Sequence, residues 1–250
     1  MAQPAPRRFA PLGDAPAGHH GLPQLKGVVF DMDGTLCRPQ NYMFAEMRAA
    51  LGIGPEVDIL EHVYGLPSAG ERDAAMAAIR AVERRAMARQ EPQPGLLALV
   101  AYLEARGLPK GICTRNFEQP VAHLLARFLP GRLFAPVVTR DFRPPKPDPA
   151  GILFIARRWG LLRVPDPAAD PADAPDASGL IMVGDSIDDM TAGRRAGAAT
   201  VLLVNDVNRH LADHDHTDLV IERLDDLVDV LERGFVGRDI GTPASAVSSP

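Results

Sequence analysis

Residues 30–35 read Phe-Asp-Met-Asp-Gly-Thr and directly follow the apolar run Leu-Lys-Gly-Val-Val at 25–29. A strand that ends in two carboxylates, Asp31 and Asp33, is costly to build because the acids repel each other and lose hydration. A divalent cation would offset both costs. One carboxylate would then be free to act as a nucleophile and the other as an acid/base. An ordinary turn built on Asp and Gly is the alternative.

Apolar strands alternate with helical stretches along the rest of the chain. Strands are predicted at 25–31, 109–114, 134–139, 179–184, 199–204 and 218–221, and helices at 95–106, 117–128, 149–160, 188–196 and 223–233. The strands are continuous Val/Ile/Leu runs, which is typical of parallel strands buried on both faces. The pattern predicts an α/β fold with a doubly wound parallel sheet, in which ligands bind at the carboxyl ends of strands.

One helical segment interrupts this alternation. Residues 38–92 carry no strand signal, and Ser68 with Glu71 forms the pattern of a capping box. An apolar stripe follows, formed by Met76, Ile79, Val82 and Ala86. We therefore expect an α/β core from 24–37 and 93–235, with 38–92 as a small all-α cap. The Pro/Ala/Asp-rich stretch 165–178 is predicted to be a surface loop, and 1–23 and 236–250 are predicted to be disordered tails.

Composition narrows the function classes. The 250 residues carry a net charge of −5 and contain no long apolar run, which argues against a nucleic-acid binder and a membrane span. The two cysteines, Cys37 and Cys113, lie in apolar or motif-bearing segments, so reduced thiols and a cytoplasmic setting are expected. Arg7 and Arg8 leave a mitochondrial presequence open, but Asp14 and the nearby prolines oppose an amphipathic helix.

Three further motifs carry chemistry. Thr114 ends the second predicted strand and offers its hydroxyl to an anion. Asn116 is predicted to cap the next helix, which would leave the backbone amides of that helix start facing the same anion. Lys146 stands in Pro-Pro-Lys-Pro-Asp-Pro, where a fixed cation would compensate phosphoryl charge. Asp148 is predicted as the N-cap of the following helix, with Pro149 in its first position.

The last motif closes the strand at 179–184. It reads Gly184-Asp185-Ser186-Ile187-Asp188-Asp189 and adds three carboxylates at a strand end. In order along the chain, Asp31-Met32-Asp33-Gly34-Thr35, Thr114, Lys146 and this stretch resemble the four motifs of the haloacid dehalogenase superfamily. The resemblance covers residues 25 to about 233 and is greatest to the phosphoglycolate-phosphatase-like members, whose helical cap of the first class follows the first motif.

The resemblance implies roles for the individual residues. Asp31 would be the nucleophile that forms an aspartyl-phosphate, and Asp33 would protonate the leaving oxygen and then activate water. Mg²⁺ would be held by Asp31, the carbonyl of Asp33 and Asp185, with Asp189 in support. Thr114, Arg115, Asn116 and Lys146 would bind the substrate phosphate. Asp188 remains open, because it is equally well explained as an acid in the first turn of a helix.

The resemblance implies a Mg²⁺-dependent phosphatase of a small phosphorylated metabolite, acting as a monomer or weak homodimer. Two alternatives stay open: a sugar phosphomutase of the same superfamily, and a catalytically silent binding protein on the same fold. The histidines at 210, 214 and 216 are interpreted as part of a solvated loop, and the arginines at 80, 84, 85 and 89 as a solvated helix face. Cap residues that could face a substrate or be buried are Tyr42, Arg48, His62 and Tyr64.

Overall fold

Six strands form one parallel sheet in the computed structural model, which describes residues 8–13, 21–161 and 177–238. They are β1 (Gly27–Phe30), β2 (Lys110–Cys113), β3 (Val137–Val138), β4 (Leu180–Gly184), β5 (Ala199–Leu203) and β6 (Leu219–Ile221). Their order across the sheet is β3-β2-β1-β4-β5-β6. The predicted α/β fold with a doubly wound parallel sheet is confirmed, and each strand is shorter than its predicted span.

The described residues form eight helices, of which three lie in the segment after β1 and five accompany the strands of the sheet. They are α1 (Tyr42–Leu51), α2 (Ile59–Gly65), α3 (Ala69–Met87), α4 (Leu96–Ala105), α5 (Glu118–Phe128), α6 (Ala150–Arg158), α7 (Ile187–Arg195) and α8 (Asp226–Arg233). A 3₁₀ turn spans Arg209–Leu211. Among the described residues, no helix combines the length and apolar character needed to cross a membrane.

The two faces of the sheet pack against different helices. Val28 and Phe30 of β1 join one apolar cluster with α4, α5 and α8, whereas Val29 joins a second cluster with α6 and α7. This alternation follows from the opposite directions of successive side chains in a strand. Burial on both faces explains why the strands read as continuous apolar runs.

The strand order reverses between β1 and β4, which pair along Gly27–Phe30 and Leu180–Val183. Such a reversal opens a crevice at the carboxyl ends of the two strands, because the connections leave toward opposite sides of the sheet. Asp31 directly follows β1 and Asp185 directly follows β4, so the topology places two acidic motifs at one crevice.

Helices α1, α2 and α3 form a cap with its own apolar cluster, which includes Met43, Val63, Ile79 and Val82. The predicted capping box is present, since the Ser68 hydroxyl accepts from the Glu71 amide and the Glu71 carboxylate accepts from the Ser68 amide. The chain enters and leaves the cap side by side, where the Arg38 amide donates to the Glu91 carbonyl at 2.8 Å. The cap boundaries predicted at 38 and 92 remain a prediction, and this contact agrees with them.

The ends of the core differ from the sequence expectation. The predicted tail 1–23 includes Phe9, which is 2% exposed and packs on Phe235, and Leu12, whose amide donates to the Leu231 carbonyl at 2.9 Å. Phe9 and Leu12 therefore pack against the apolar cluster of the core, which includes Leu227 and Leu231 of α8. At the other end of the core, the backbone amide of Arg238 donates to the Asp218 carbonyl. Residues 165–176 of the predicted loop lie outside the described residues.

Candidate active site

Carboxylates from the ends of β1 and β4 meet at the crevice. One oxygen from each of Asp31, Asp185 and Asp189 lies within 4.8 Å of the others. Gly34 turns the chain with φ +84°, and an added Cβ there would collide with the Asp185 carboxylate. The close approach of the two strand-end motifs therefore requires glycine at position 34, for both its conformation and its size.

Lys146 supplies the positive charge that this cluster needs. Its Nζ donates to Asp31 Oδ1 at 2.7 Å and also to Asp189 Oδ1, and the side chain is 4% exposed. Burial alone would lower the pKa of Lys146, but the carboxylates of Asp189 and Asp31 raise it on balance. The lysine is therefore held as a buried cation between two acids.

Burial dominates the ionisation of the acids. It raises the pKa of Asp31 to about 7, with Lys146 acting in the opposite sense and Asp189 and Asp33 adding to the rise. The pKa of Asp185 is raised well above its ordinary value by burial and then by Asp189 and Asp31. A divalent cation among these oxygens would favour the ionised acids, because it supplies an opposite charge at contact distance.

The donor set fits a hard cation. Oxygen ligands are those that Mg²⁺ and Ca²⁺ prefer, and Asp31 and Asp185 both direct carboxylate oxygens at the crevice. Asp189 is more fully engaged, because its Oδ2 accepts from the Asp185 amide, the Ser186 amide and the Ser186 hydroxyl. Its Oδ1 faces Lys146. Asp189 is therefore suited to support a metal site through Lys146 and the backbone around Asp185.

Thr114 and Asn116 lie at the end of β2. Thr114 is buried, and its hydroxyl accepts from the Asn116 amide at 3.1 Å. The side chain of Asn116 donates through Nδ2 to Asp33 Oδ2 at 2.8 Å. Asn116 was expected to cap the next helix, but Phe117 is the N-cap residue and no side chain caps it. The helix begins one residue later than predicted, so Asn116 Oδ1 accepts from the amide of the N-cap residue Phe117 at 2.8 Å rather than from an amide inside the first turn.

Arg115 lies between the cap and the core. Its two terminal nitrogens donate at 2.6 Å each to Asp58, the N-cap of α2, and to Asp188 in the first turn of α7. Phosphate binding by Arg115 stays a prediction, and its guanidinium is already paired with two acids. Asp188 thus acts as a partner of Arg115, in addition to lying in a first helical turn where acids are favourable.

Two asparagines hold Asp185 from the loop after β5. Asn205 Nδ2 donates to Asp185 Oδ2 at 3.2 Å, and Asn208 Nδ2 donates to the Asp185 carbonyl at 2.7 Å. Asn208 Oδ1 also accepts from the Asn205 amide at 2.6 Å. These contacts fix one of the three clustered carboxylates from a neighbouring strand.

The start of α6 is one residue later than expected. The helix begins at Ala150 with Pro149 as its N-cap. Asp148 still acts in the predicted sense, because its Oδ1 accepts from the Ala150 amide at 2.9 Å.

A cavity of about 430 Å³ joins the crevice to the cap. Its lining includes Asp31, Asp33, Thr114 and Lys146 on the core side. On the cap side it includes Met43, Met47, Ile59, Leu60 and Ile79, together with Arg48. Tyr42 is 40% exposed and is not among the lining residues, and neither are His62 and Tyr64.

A buried ion pair lies where the cap meets the core. The Arg140 guanidinium donates to Glu83 Oε1, and the side chains are 1% and 5% exposed. Burial raises the pKa of Glu83 to about 7, Arg140 lowers it, and Asp33 raises it further. Both residues line the cavity.

Sequence reasoning missed Asp58, Glu83, Arg140, Asn205 and Asn208. Arg140 and Asn205 follow β3 and β5 by two residues. Polar residues just after a predicted strand were taken as site candidates in the case of Asp31, and the same criterion could have selected these two. Glu83 lies four residues after Ile79 and three before Ala86, within the apolar stripe of α3. A charge inside such a stripe is a signal of a buried contact.

Other candidates lie outside the catalytic cluster. Arg84, Arg85 and Arg89 are exposed as expected, whereas Arg80 is half-buried over the Phe117 ring, because α3 turns this side toward α5. Both cysteines are free and buried, and burial raises the pKa of Cys113 to about 12. His214 and His216 pack ring to ring, and the clustered aspartates are the one group with metal-binding geometry among the residues described.

The chain is similar to a known family, to known proteins and to solved structures. The family model for haloacid dehalogenase-like hydrolase matches residues 25–197. An uncharacterized hydrolase of Saccharomyces cerevisiae is 44% identical over 218 residues, covering 86% of this chain and 93% of its own. The N-acetylmuramic acid 6-phosphate phosphatase of Pseudomonas aeruginosa is 29% identical over 240 residues, covering 85% of this chain and 97% of its own.

The fold agrees with solved structures as well. The crystal structure of a haloacid dehalogenase-type hydrolase of family IA from Entamoeba histolytica superposes with a TM-score of 0.64, at 17% identity over 83% of this chain and 100% of that one. This similarity concerns the fold alone. Because the family match and the yeast relative both span most of the α/β core, the chain belongs to the haloacid dehalogenase-like hydrolases.

Proposed function

We propose that the protein is a Mg²⁺-dependent phosphatase that hydrolyses small phosphomonoesters through an aspartyl-phosphate on Asp31. The observation that carries this proposal is the pairing of two unlike carboxylates in one cavity. Asp31 Oδ1 accepts a hydrogen bond from Lys146 Nζ at 2.7 Å, whereas Asp33 Oδ2 accepts one from Asn116 Nδ2 at 2.8 Å. Two acids held in different environments are suited to different tasks.

In the first step, a carboxylate oxygen of Asp31 forms a bond to phosphorus while the bond to the leaving oxygen breaks. Asp33 donates its proton to that oxygen, and the product alcohol departs. Lys146 and the Thr114 hydroxyl face the transferred group and stabilise its negative charge. Mg²⁺, held by Asp31, Asp185 and the Asp33 carbonyl, would lower the repulsion between the acids and the phosphoryl oxygens.

In the second step, Asp33 accepts a proton from water as the water oxygen attacks phosphorus. The bond from phosphorus to Asp31 breaks, which releases inorganic phosphate and restores both carboxyl groups to their starting states. Both cysteines are buried and neither is among the residues that line the cavity, so neither is offered as the nucleophile.

The test is turnover of p-nitrophenyl phosphate by the purified full chain. We expect release of phosphate with Mg²⁺ and its loss with EDTA, restored by added Mg²⁺. Product analysis with a sugar phosphate distinguishes hydrolysis, which yields free phosphate, from transfer of the phosphoryl group within the sugar. No turnover on any phosphate ester would favour a silent binding protein and contradict the proposal.

A further inference from the structure

Four cationic side chains line the cavity between the core and the cap: Arg48, Arg115, Arg140 and Lys146. Arg115, Arg140 and Lys146 each form an ion pair with one or two carboxylates. The side chain of Arg48 forms no hydrogen bond or ion pair with any residue in the described part of the chain. Among the described residues, Arg48 is therefore the one cation of the lining whose charge no acid balances.

The half-buried Arg48 side chain is held at its base and open at its end. Its Nε is buried, whereas Nη1 and Nη2, which donate to no described residue, keep accessible surface. Two N–H groups fixed in one plane match the two oxygens of a carboxylate or a phosphate. The position of Arg48 in the last turn of α1 favours a positive charge, but it does not account for a place in the lining of a cavity.

The helix that carries Arg48 brings no acid to the cavity. Glu46 is the one acid of α1; it pairs with Arg85 and is not among the lining residues. Gln40 and Asn41, just before α1, add neutral polar groups, and the rest of the lining from α1 is apolar. An anion at the Arg48 guanidinium would therefore meet attraction without a competing carboxylate from the same helix.

The cavity offers separate places for two anionic groups. The transferred phosphoryl group is expected on the core side, at Lys146 and Thr114, whereas Arg48 belongs to the cap. The volume of about 430 Å³ lies in the range of cavities that enclose ligands well above the size of a phosphate ion. Asp58 and Glu83, the acids of the cap that line the cavity, are each neutralised by an arginine of the core. A substrate with an anionic group at each end would thus find a cation for both.

We propose that Arg48 binds a second anionic group, a carboxylate or a phosphate, on the leaving-group part of the substrate. The protein then prefers sugar-sized phosphomonoesters that carry such a group over neutral ones of the same length. The inference rests on the proposed function, because it takes the phosphoryl group to be bound at the core side of the cavity. It adds a specificity-determining residue and the chemical class that this residue selects.

The test uses substrates that differ only at the far end of the leaving group. Glucitol 6-phosphate ends in a neutral hydroxymethyl group, 6-phosphogluconate has a carboxylate in its place, and glucitol 1,6-bisphosphate has a phosphate there. The scissile ester is alike in all three, so its intrinsic reactivity cancels in a ratio of kcat/KM values. For the wild type, we expect at least one anionic substrate to exceed glucitol 6-phosphate by about tenfold or more, since hydrogen bonds to charged groups are strong.

Three variants assign the preference to a residue. In Arg48→Met the ratio should fall to within about threefold, through a higher KM for the anionic substrate at nearly unchanged kcat, because Arg48 touches no reacting atom. Arg48→Lys keeps a charge without the planar fork and should retain part of the preference. The matched control is Arg84→Met, which removes the same charge from an exposed position of the cap outside the lining and should leave the ratio unchanged.

A preference for the carboxylate or for the phosphate alone would support the inference and identify the group that Arg48 takes. Wild-type protein that favours neither anionic substrate would overturn it. So would a preference that persists in Arg48→Met, or one that Arg84→Met lowers equally, since the latter reflects net charge. In these three cases turnover itself persists and the proposed phosphatase function stands. The absence of turnover by the wild type on every phosphate ester would overturn the proposed function and this inference together.

Discussion

Two groups of charged residues meet at one cavity but are built in opposite ways. The first is the carboxyl-end cluster of Asp31, Asp185, Asp189 and Lys146, of which all but Asp189 line the cavity. The second consists of the cap-to-core pairs Glu83–Arg140 and Asp58–Arg115, which also line it. The cluster gathers like charges within a few residues of two strand ends, with one buried cation among them. The pairs each join an acid of the cap to a base of the core 57 residues away. Like charges at a strand end favour a bound cation, and with it an anionic substrate. The matched pairs Glu83–Arg140 and Asp58–Arg115 instead form a nearly neutral wall of the cavity.

The largest expected effect is on the cluster. Asp31→Asn should lower kcat for p-nitrophenyl phosphate by at least about a thousandfold, because an amide is a poor nucleophile. The measurement is steady-state turnover with Mg²⁺ in excess, with circular dichroism to show that the fold is kept. Retention of more than roughly a tenth of the activity would remove Asp31 from the nucleophile role.

The second expected effect separates the two acids of the cluster region. Asp33→Asn should lower kcat/KM about a hundredfold for a sugar or alkyl phosphate, since an alkoxide leaving group needs the proton. The loss should be smaller for p-nitrophenyl phosphate, whose leaving group is a weak base. Aspartyl-phosphate on Asp31 should be detectable by mass spectrometry after acid quenching. Equal losses on both substrates without that adduct would make Asp33 a structural acid.

The third expected effect concerns Glu83 of the wall and is a change in the free energy of unfolding with pH. Because burial raises the pKa of Glu83 to about 7 from an ordinary value of 4.5, the folded state binds this proton more tightly than the unfolded state. Its stabilising contribution is therefore complete below the unfolded pKa and is lost as the pH rises through the folded pKa. Wild-type stability relative to Glu83→Gln should fall by up to roughly 3 kcal/mol between pH 4.5 and pH 8.

Chemical denaturation of both proteins across that range measures the difference, in which other titrating groups largely cancel. A difference that stays flat or grows with pH would mean that Arg140 keeps the carboxylate ionised throughout.

The fourth expected effect tests whether Asn205 supports the carboxylate cluster through its hydrogen bond to Asp185. Asn205→Ala should weaken Mg²⁺ binding to the substrate-free protein by about tenfold or more, because the asparagine orients the Asp185 carboxylate. Isothermal titration calorimetry measures the binding directly, without reliance on turnover. Val207→Ala is the control, since Val207 is 64% exposed on the same loop. Equal affinity of the two variants would show that the Asp185 carboxylate needs no support from Asn205.

The smallest expected effect belongs to the second pair of the wall. Arg115 and Asp58 are partly exposed, with side chains at 29% and 34%, and Arg115 keeps Asp188 as a partner. Asp58→Asn should therefore cost less than about 1 kcal/mol of stability, as exposed ion pairs commonly do. Thermal unfolding with and without 0.5 M salt checks this value. A cost well above that would place this pair with Glu83–Arg140 as a buried contact.

The contrast between cluster and wall also explains what the sequence could predict. The parallel sheet and three of the four motifs follow from apolar runs that end in short polar stretches, so their side chains are placed by residues next to them. Lys146 was selected instead by its position among prolines before a helix. Glu83 and Arg140 each carry a local signal of burial or of a strand end, but their pairing, like that of Asp58 with Arg115, is set by the packing of the cap on the core, which no local pattern encodes. Phe9 was missed for a related reason, since a single aromatic in a Pro-rich segment gives no periodicity. The direction of Asn116 depended on Asp33, which lies 83 residues earlier.

Asp189 performs two tasks with its two oxygens, and this limits how the site could be moved to another protein. One oxygen closes the turn from β4 into α7 through Asp185 and Ser186, and the other holds Lys146. Gly184 belongs to the same unit, because any side chain there would strike Asp189. A designer who grafts this chemistry onto a new scaffold would need to transplant residues 184–189 as one block. The lysine must arrive at the same point in space from wherever the host chain passes.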